Sequence, residues 1–166
     1  MGRWPGKSRV RAAGLTLIAA LLVAAPLALA EELTREQYVA QLEPICKRNT
    51  TANTRILKGV KQQVQKGKLA PAGRRFIRAS RALGRSIGQM AKVPRPAADA
   101  AKLGKWFGYL KRERVFLLKI GKALKAGKRG LAQNLAVKLN KNNDRANDTV
   151  ILFGFKQCRI ESSRFL

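Results

Sequence analysis

Apolar residues recur along the chain at steps of three and four, and no stretch alternates strictly between apolar and polar, so the pattern predicts helices and no strands. Four segments carry it. In the first, Thr34 and Gln37 stand in the Ser/Thr-x-x-Glu/Gln relation of a capping box, and Tyr38, Leu42, Ile45, Ala52, Ile56, Val60 and Val64 follow at helical spacing. Pro44 falls inside that stripe without an amide to donate, so a kink or a fresh helix start is expected there. Gly67 ends the segment. The second follows Pro71, with Phe76, Ala79, Leu83, Ile87 and Met90 on one face, and it stops at the stiff run Val93-Pro94-Arg95-Pro96.

The third segment is predicted from about Ala97 to Lys125, with Leu103, Trp106, Leu110, Leu117, Ile120 and Leu124 on its stripe and Glu113 in the same seam. Gly127 and Gly130 bracket a basic turn. The fourth runs from about Leu131 to Phe153 along Leu135, Leu139, Asn142, Ala146, Val150 and Phe153, and Gly154 closes it. Short links between long helices favour antiparallel neighbours, so the expected fold is an all-α, up-down-up-down four-helix bundle.

The beginning of the chain has a different pattern. Arg3, Lys7, Arg9 and Arg11 precede residues 12–30, which carry no charge. Leu15, Leu17, Ile18, Leu21, Leu22 and Val23 form an apolar centre, and Ala28-Leu29-Ala30 supplies small residues at a cleavage site. A secretory signal peptide over residues 1–30 is expected, with cleavage after Ala30 and a single helical domain over residues 31–166. The rival expectation is an uncleaved N-terminal anchor. Either way the remainder is expected to be secreted or extracytoplasmic.

Composition then narrows the function. The 166 residues include 35 Lys and Arg against 9 Asp and Glu, a formal net charge of +26. Loss of residues 1–30 would remove four of the basic residues and no acid, leaving 31 against 9, or +22. A small domain needs a net charge of only about 2–8 to stay soluble, so the excess calls for another explanation. There is no histidine, which excludes imidazole acid–base catalysis, Ser-His or Cys-His nucleophiles and imidazole metal ligands. Two cysteines cannot make a four-cysteine zinc site. An even pair in an exported chain reads instead as a disulfide, Cys46 to Cys158, and in an up-down bundle the start of the first helix lies beside the end of the last.

The candidate chemistry is sparse. Asp144 and Asp148 are an i,i+4 pair mid-helix, a helix-surface pair as readily as a hydrolytic dyad. Glu113 is either a seam residue reaching solvent or one half of a buried ion pair. Asn49, Asn53 and Asn147 are expected as interhelical polar groups, with a hydrogen bond between Asn53 and Asn147 setting register. No glycine-rich phosphate loop fits, since Gly121 to Gly127-Lys128 is one residue too long and follows a helix. Arg74, Arg78, Arg81 and Arg85 form a row at helical spacing, and Lys105, Tyr109 and Arg112 share a face on the third segment where an aromatic ring lies among cations. These seven are the candidate anion-binding residues.

The order Tyr38-Val39-Ala40, Ile45-Cys46, a Pro-bounded helical middle and a closing Phe153-Gly154-Phe155-Lys156-Gln157-Cys158 resembles a class of small exported bacterial helical proteins with one cysteine in the first helix and one in a Gly-x-x-x-Cys turn. That resemblance implies a disulfide-closed helical bundle, and it carries over no activity. The function expected from the residues is non-enzymatic and needs no cofactor. It is polyanion binding at the cell envelope or outside the cell, to wall polymers, anionic lipid at a membrane surface, or nucleic acid. The alternative is a structural or protein-interaction bundle with no specific ligand.

Overall fold

The computed structural model describes residues 1–2 and 32–160; the expected signal peptide and its cleavage point lie outside them. The described helices belong to one compact unit, Glu31–Leu166. Its elements are α1 (Arg35–Leu57), α2 (Val60–Gln65), α3 (Leu69–Met90), α4 (Ala100–Lys125) and α5 (Arg129–Thr149), with single 3-10 turns at Ala97–Asp99 and Ile151–Phe153. Among the described residues there is no strand.

The helix starts follow the chain's own signals. At α1 the Thr34 hydroxyl accepts from the Gln37 amide and the Gln37 side chain accepts from the Thr34 amide, which is the expected capping box. Pro71 sits in the first turn of α3, where an amide proton would have no intrahelical acceptor anyway. Pro44 starts no new helix: it lies inside α1, which continues to Leu57. The interruption comes later, at Gly59, whose φ of 76° is the left-handed conformation that costs glycine least. The expected first helix is therefore two, α1 and α2. The buried stripe in the second half of α1 also runs one residue on from expectation, through Asn53 and Leu57, while Ala52 and Ile56 stay half-buried.

The core is helix on helix. α3 packs along α4, α4 along α5, and α1 along α3, while α1 and α5 touch little directly. The predicted stripes of α3 and α4 are buried in full, from Phe76 to Met90 and from Leu103 to Leu124. Trp106 is fully buried, edge-on to Phe107 and stacked on Phe155 with ring centroids 5.3 Å apart in each case. Side chains this large and this well enclosed contribute about 3–5 kcal/mol each against alanine.

The chain after α5 closes the side that α1 and α5 leave open. Gly154, with φ 67°, turns it back, and Cys158 bonds to Cys46 with Cα atoms 5.0 Å apart, close to the 5.5–6 Å typical of the bond. Two further clasps hold the same segment. The Glu43 carboxylate accepts from the Lys156 and Gln157 amides at 2.7 and 2.8 Å, and the Asn147 amide group both donates to the Ile160 carbonyl and accepts from its N–H. At the N-terminus of α1, Arg35 grips Asp99 with two parallel hydrogen bonds of 2.7 and 2.8 Å. That is the one ion pair among the described residues.

Candidate functional site: an arginine furrow and an enclosed polar cavity

Arg74, Arg78, Arg81 and Arg85 are all exposed, on the side of α3 away from Phe76, Ala79, Leu83 and Ile87. Eleven residues separate the first from the last, about 16 Å at the helical rise. Arg74, Arg78 and Arg81 line a furrow of about 400 Å³, joined by Arg75 from their own helix and Lys125 from the end of α4. Gln63 and Pro71 complete the polar end and Ile77 the floor, and no carboxylate lines it. Arg75 is held in place, donating to the carbonyls of Ile56 and Lys58 where α1 ends. Further along the row Arg114 of α4 packs across Gly84, where no side chain stands in its way. Neither Arg75, Lys125 nor Arg114 was among the expected anion-binding residues. They come from positions that share no face with the row in sequence, and only helix packing brings them to it.

The second expected group is arranged differently. The Arg112 guanidinium lies 4.3 Å above the Tyr109 ring centroid and donates to the Asn142 side-chain oxygen. Asn142 in turn donates to the Tyr109 carbonyl and to Asn143, joining α5 to α4 through a buried polar contact. Arg112 therefore covers the half-buried Tyr109 face, and Lys105 stands exposed about one turn before Tyr109.

The interhelical asparagines do not meet as expected. Asn53 donates to Asn49, one turn back on α1, at 3.4 Å, and Asn147 is engaged with Ile160. Asn53 therefore bonds within its own helix through its amide N–H alone and Asn147 bonds the segment after α5, while Asn142 joins α5 to α4. Asn49 and Asn53 line a partly open cavity of about 330 Å³ between α1, α3, α4 and residues 156–160. Glu113 lines the same cavity, half-buried, with no hydrogen bond or ion pair. Of the two expectations for this residue, the buried ion pair is not formed. Removal from water pushes its carboxyl up to about 8. Two more polar groups around the cavity are buried and unpartnered, the Asn53 side-chain oxygen and the Trp106 indole N–H.

Asp144 and Asp148 are exposed on α5. Among the described residues no three His, Cys, Asp or Glu side chains converge as a metal site, and no helix is long and apolar enough to cross a membrane. Compared with protein-family models, curated proteins and solved structures, the chain matches none.

Proposed function

We propose that this protein is an extracytoplasmic, non-enzymatic, up-down-up-down helical bundle that binds polyanions through the arginine furrow. The observation that carries the reading is the convergence of Arg74, Arg75, Arg78, Arg81 and Lys125 on one groove with no acid in its lining. Exposed cations on one helix face are ordinarily no more than a solvated surface. Here cations from two helices share a concave site, where their fields add and a bound anion loses part of its water. Guanidinium forks suit phosphate and carboxylate oxygens. The wider excess of charge, exposed on all four long helices, would draw anionic polymers in from any direction. The Cys46–Cys158 bond is compatible with an oxidising compartment.

The test is a salt series of binding to single-stranded DNA, heparin and anionic vesicles. On single-stranded DNA each phosphate neutralised contributes about −0.7 to the slope of log affinity against log salt. Replacing Arg74, Arg78, Arg81 and Arg85 together by Gln removes up to four contacts, so the slope should flatten by about three. These side chains are exposed, so helical content should be unchanged. A variant that keeps the full slope, or a wild type that binds none of the three at low salt, returns the protein to the structural reading.

A further inference from the structure

We propose that the cavity between α1, α3, α4 and residues 156–160 binds a small organic ammonium compound, with Glu113 as its counter-ion and Asn53 as its second acceptor. The first support is an absence of pairing that the composition makes improbable. In a chain with 35 basic residues and 9 acidic ones, the acid that lines this cavity has no cation attached to it, although Lys156 and Arg159 line the same cavity. A carboxyl group in that position is an unused anionic site.

The second support is independent of the first. Asn53 and Trp106 are both more than nine-tenths buried, and each has a polar atom with no partner. Such atoms cost about 1–3 kcal/mol each when left unmet, and folded proteins rarely leave them so without a use. The orphaned Asn53 acceptor and the unpaired acid beside a single cavity are the arrangement of a site awaiting a guest that donates; the Trp106 N–H, itself a donor, is not met by such a guest. The acceptors among the lining residues argue for a cationic head: Glu113, Asn53 and Thr50 all line the cavity and can each accept from a guest that donates. Leu83, Met90 and Leu110 make the rest of the wall apolar, so the guest has a hydrocarbon body behind its ammonium head.

Protonation gives the site its own signature. With its carboxyl pushed up to about 8, Glu113 is mostly neutral at pH 7. A cation entering the cavity favours the carboxylate, so Glu113 releases its proton to solvent and the ion pair forms. Lys156 and Arg159 are the other titratable groups facing the cavity. They come from the C-terminal segment, and α1 and α3 present none. Affinity for an ammonium ion should therefore rise about tenfold from pH 6 to pH 7 and level off above pH 8.

The experiment is calorimetric titration of the oxidised full chain with 2-phenylethylammonium, 2-phenylethanol and 3-phenylpropanoate. The ammonium ion should bind one-to-one, at least tenfold more tightly than the alcohol and more tightly still than the carboxylate. Repeating it at pH 7 in buffers of different ionisation enthalpy should show about one proton released per ion bound. Glu113→Gln should cost at least tenfold in affinity and abolish the pH dependence. The same variant should unfold no more easily than wild type at pH 8, because it removes a desolvated carboxyl group that has no partner; that separates loss of a site from loss of a fold. Lys156→Gln should tighten ammonium binding by removing a like charge. No binding of the ammonium ion at millimolar concentration, a preference for the carboxylate, or full affinity in Glu113→Gln would each overturn the assignment. The four-Gln furrow variant should bind the ammonium ion as wild type does, so this site and the furrow stand or fall separately.

Discussion

Gly73 on α3 and Gly121 on α4 mark the closest approach of the two most extensively packed helices, and a methyl group at either should be expelled. A Cβ built on Gly73 lies 2.5 Å from the Gly121 carbonyl oxygen and 2.9 Å from the Lys125 amide nitrogen. Ordinary contact begins at 3.4 Å, so the carbonyl is about 0.9 Å too near. The obstacle is backbone and cannot rotate away. The helices must separate by most of that distance, loosening the core to which Phe76, Leu83, Leu117, Ile120 and Leu124 belong. Overpacking of this kind costs about 1–3 kcal/mol, and the upper end applies where backbone resists. Alanine's better helix propensity returns about 1 kcal/mol. Gly73→Ala should therefore destabilise by about 1–2 kcal/mol net. Gly88, also on α3, has no atom within 4 Å of a built Cβ, so Gly88→Ala meets no obstacle and should stabilise by about 1 kcal/mol. Thermal unfolding followed by far-ultraviolet circular dichroism separates the two, at roughly 4 °C per kcal/mol for a domain of this size. Gly73→Ala and Gly121→Ala combined should cost less than the sum of the singles, since the helices need to part only once. If Gly73→Ala stabilises as Gly88→Ala does, the crossing is not where it is described.

Breaking the disulfide by Cys46→Ser should lower stability by about 5 kcal/mol in the chain-entropy model, given the sequence separation of 112 that the bond closes. Urea titration of the variant and of reduced wild type should agree, and a loss under 1 kcal/mol would mean the unfolded chain is not constrained by the bond. The Arg35 guanidinium beside Asp99 holds that carboxyl below the ordinary range. Its contribution is complete above the unfolded value near 4 and disappears as pH falls through the lower folded one, so Asp99→Asn should flatten the acid limb of the stability profile below pH 4 and leave its shape near neutrality unchanged. Glu113 acts in the opposite sense: with a folded value near 8 it takes up a proton on folding, so stability should decline from about pH 4.5 to pH 8, and Glu113→Gln should remove that decline. Glu43→Gln should weaken the clasp on residues 156–160 by about 1–2 kcal/mol, read as faster amide exchange at Lys156 and Gln157.

Much of the molecule was legible in the sequence because helices are local. A stripe at steps of three and four selects a helix and its inward face whatever it packs against, and all five apolar positions named for α3 and six for α4 are buried. The capping box at Thr34 and the arginine row on α3 are legible for the same reason, since each depends on residues within a few turns. The disulfide was legible by count, because Cys46 and Cys158 are the two cysteines in the chain. A stripe says which side of a helix turns inward and is silent on what it meets. Whether Pro44 or Gly59 interrupts the first segment was settled by whole-helix packing: Tyr38, Leu42, Ile45 and Leu57 together stabilise a helix through Pro44, and the missing hydrogen bond is the smaller term. The same holds for the partners of Asn147 and Glu43, for the meeting of Gly73 with Gly121, for Arg75 and Lys125 beside the arginine row, and for a Glu113 left without a cation. Each depends on segments that are not neighbours along one helix, and tertiary packing alone decides how they meet, because spacing along one helix carries no information about the distance to another element.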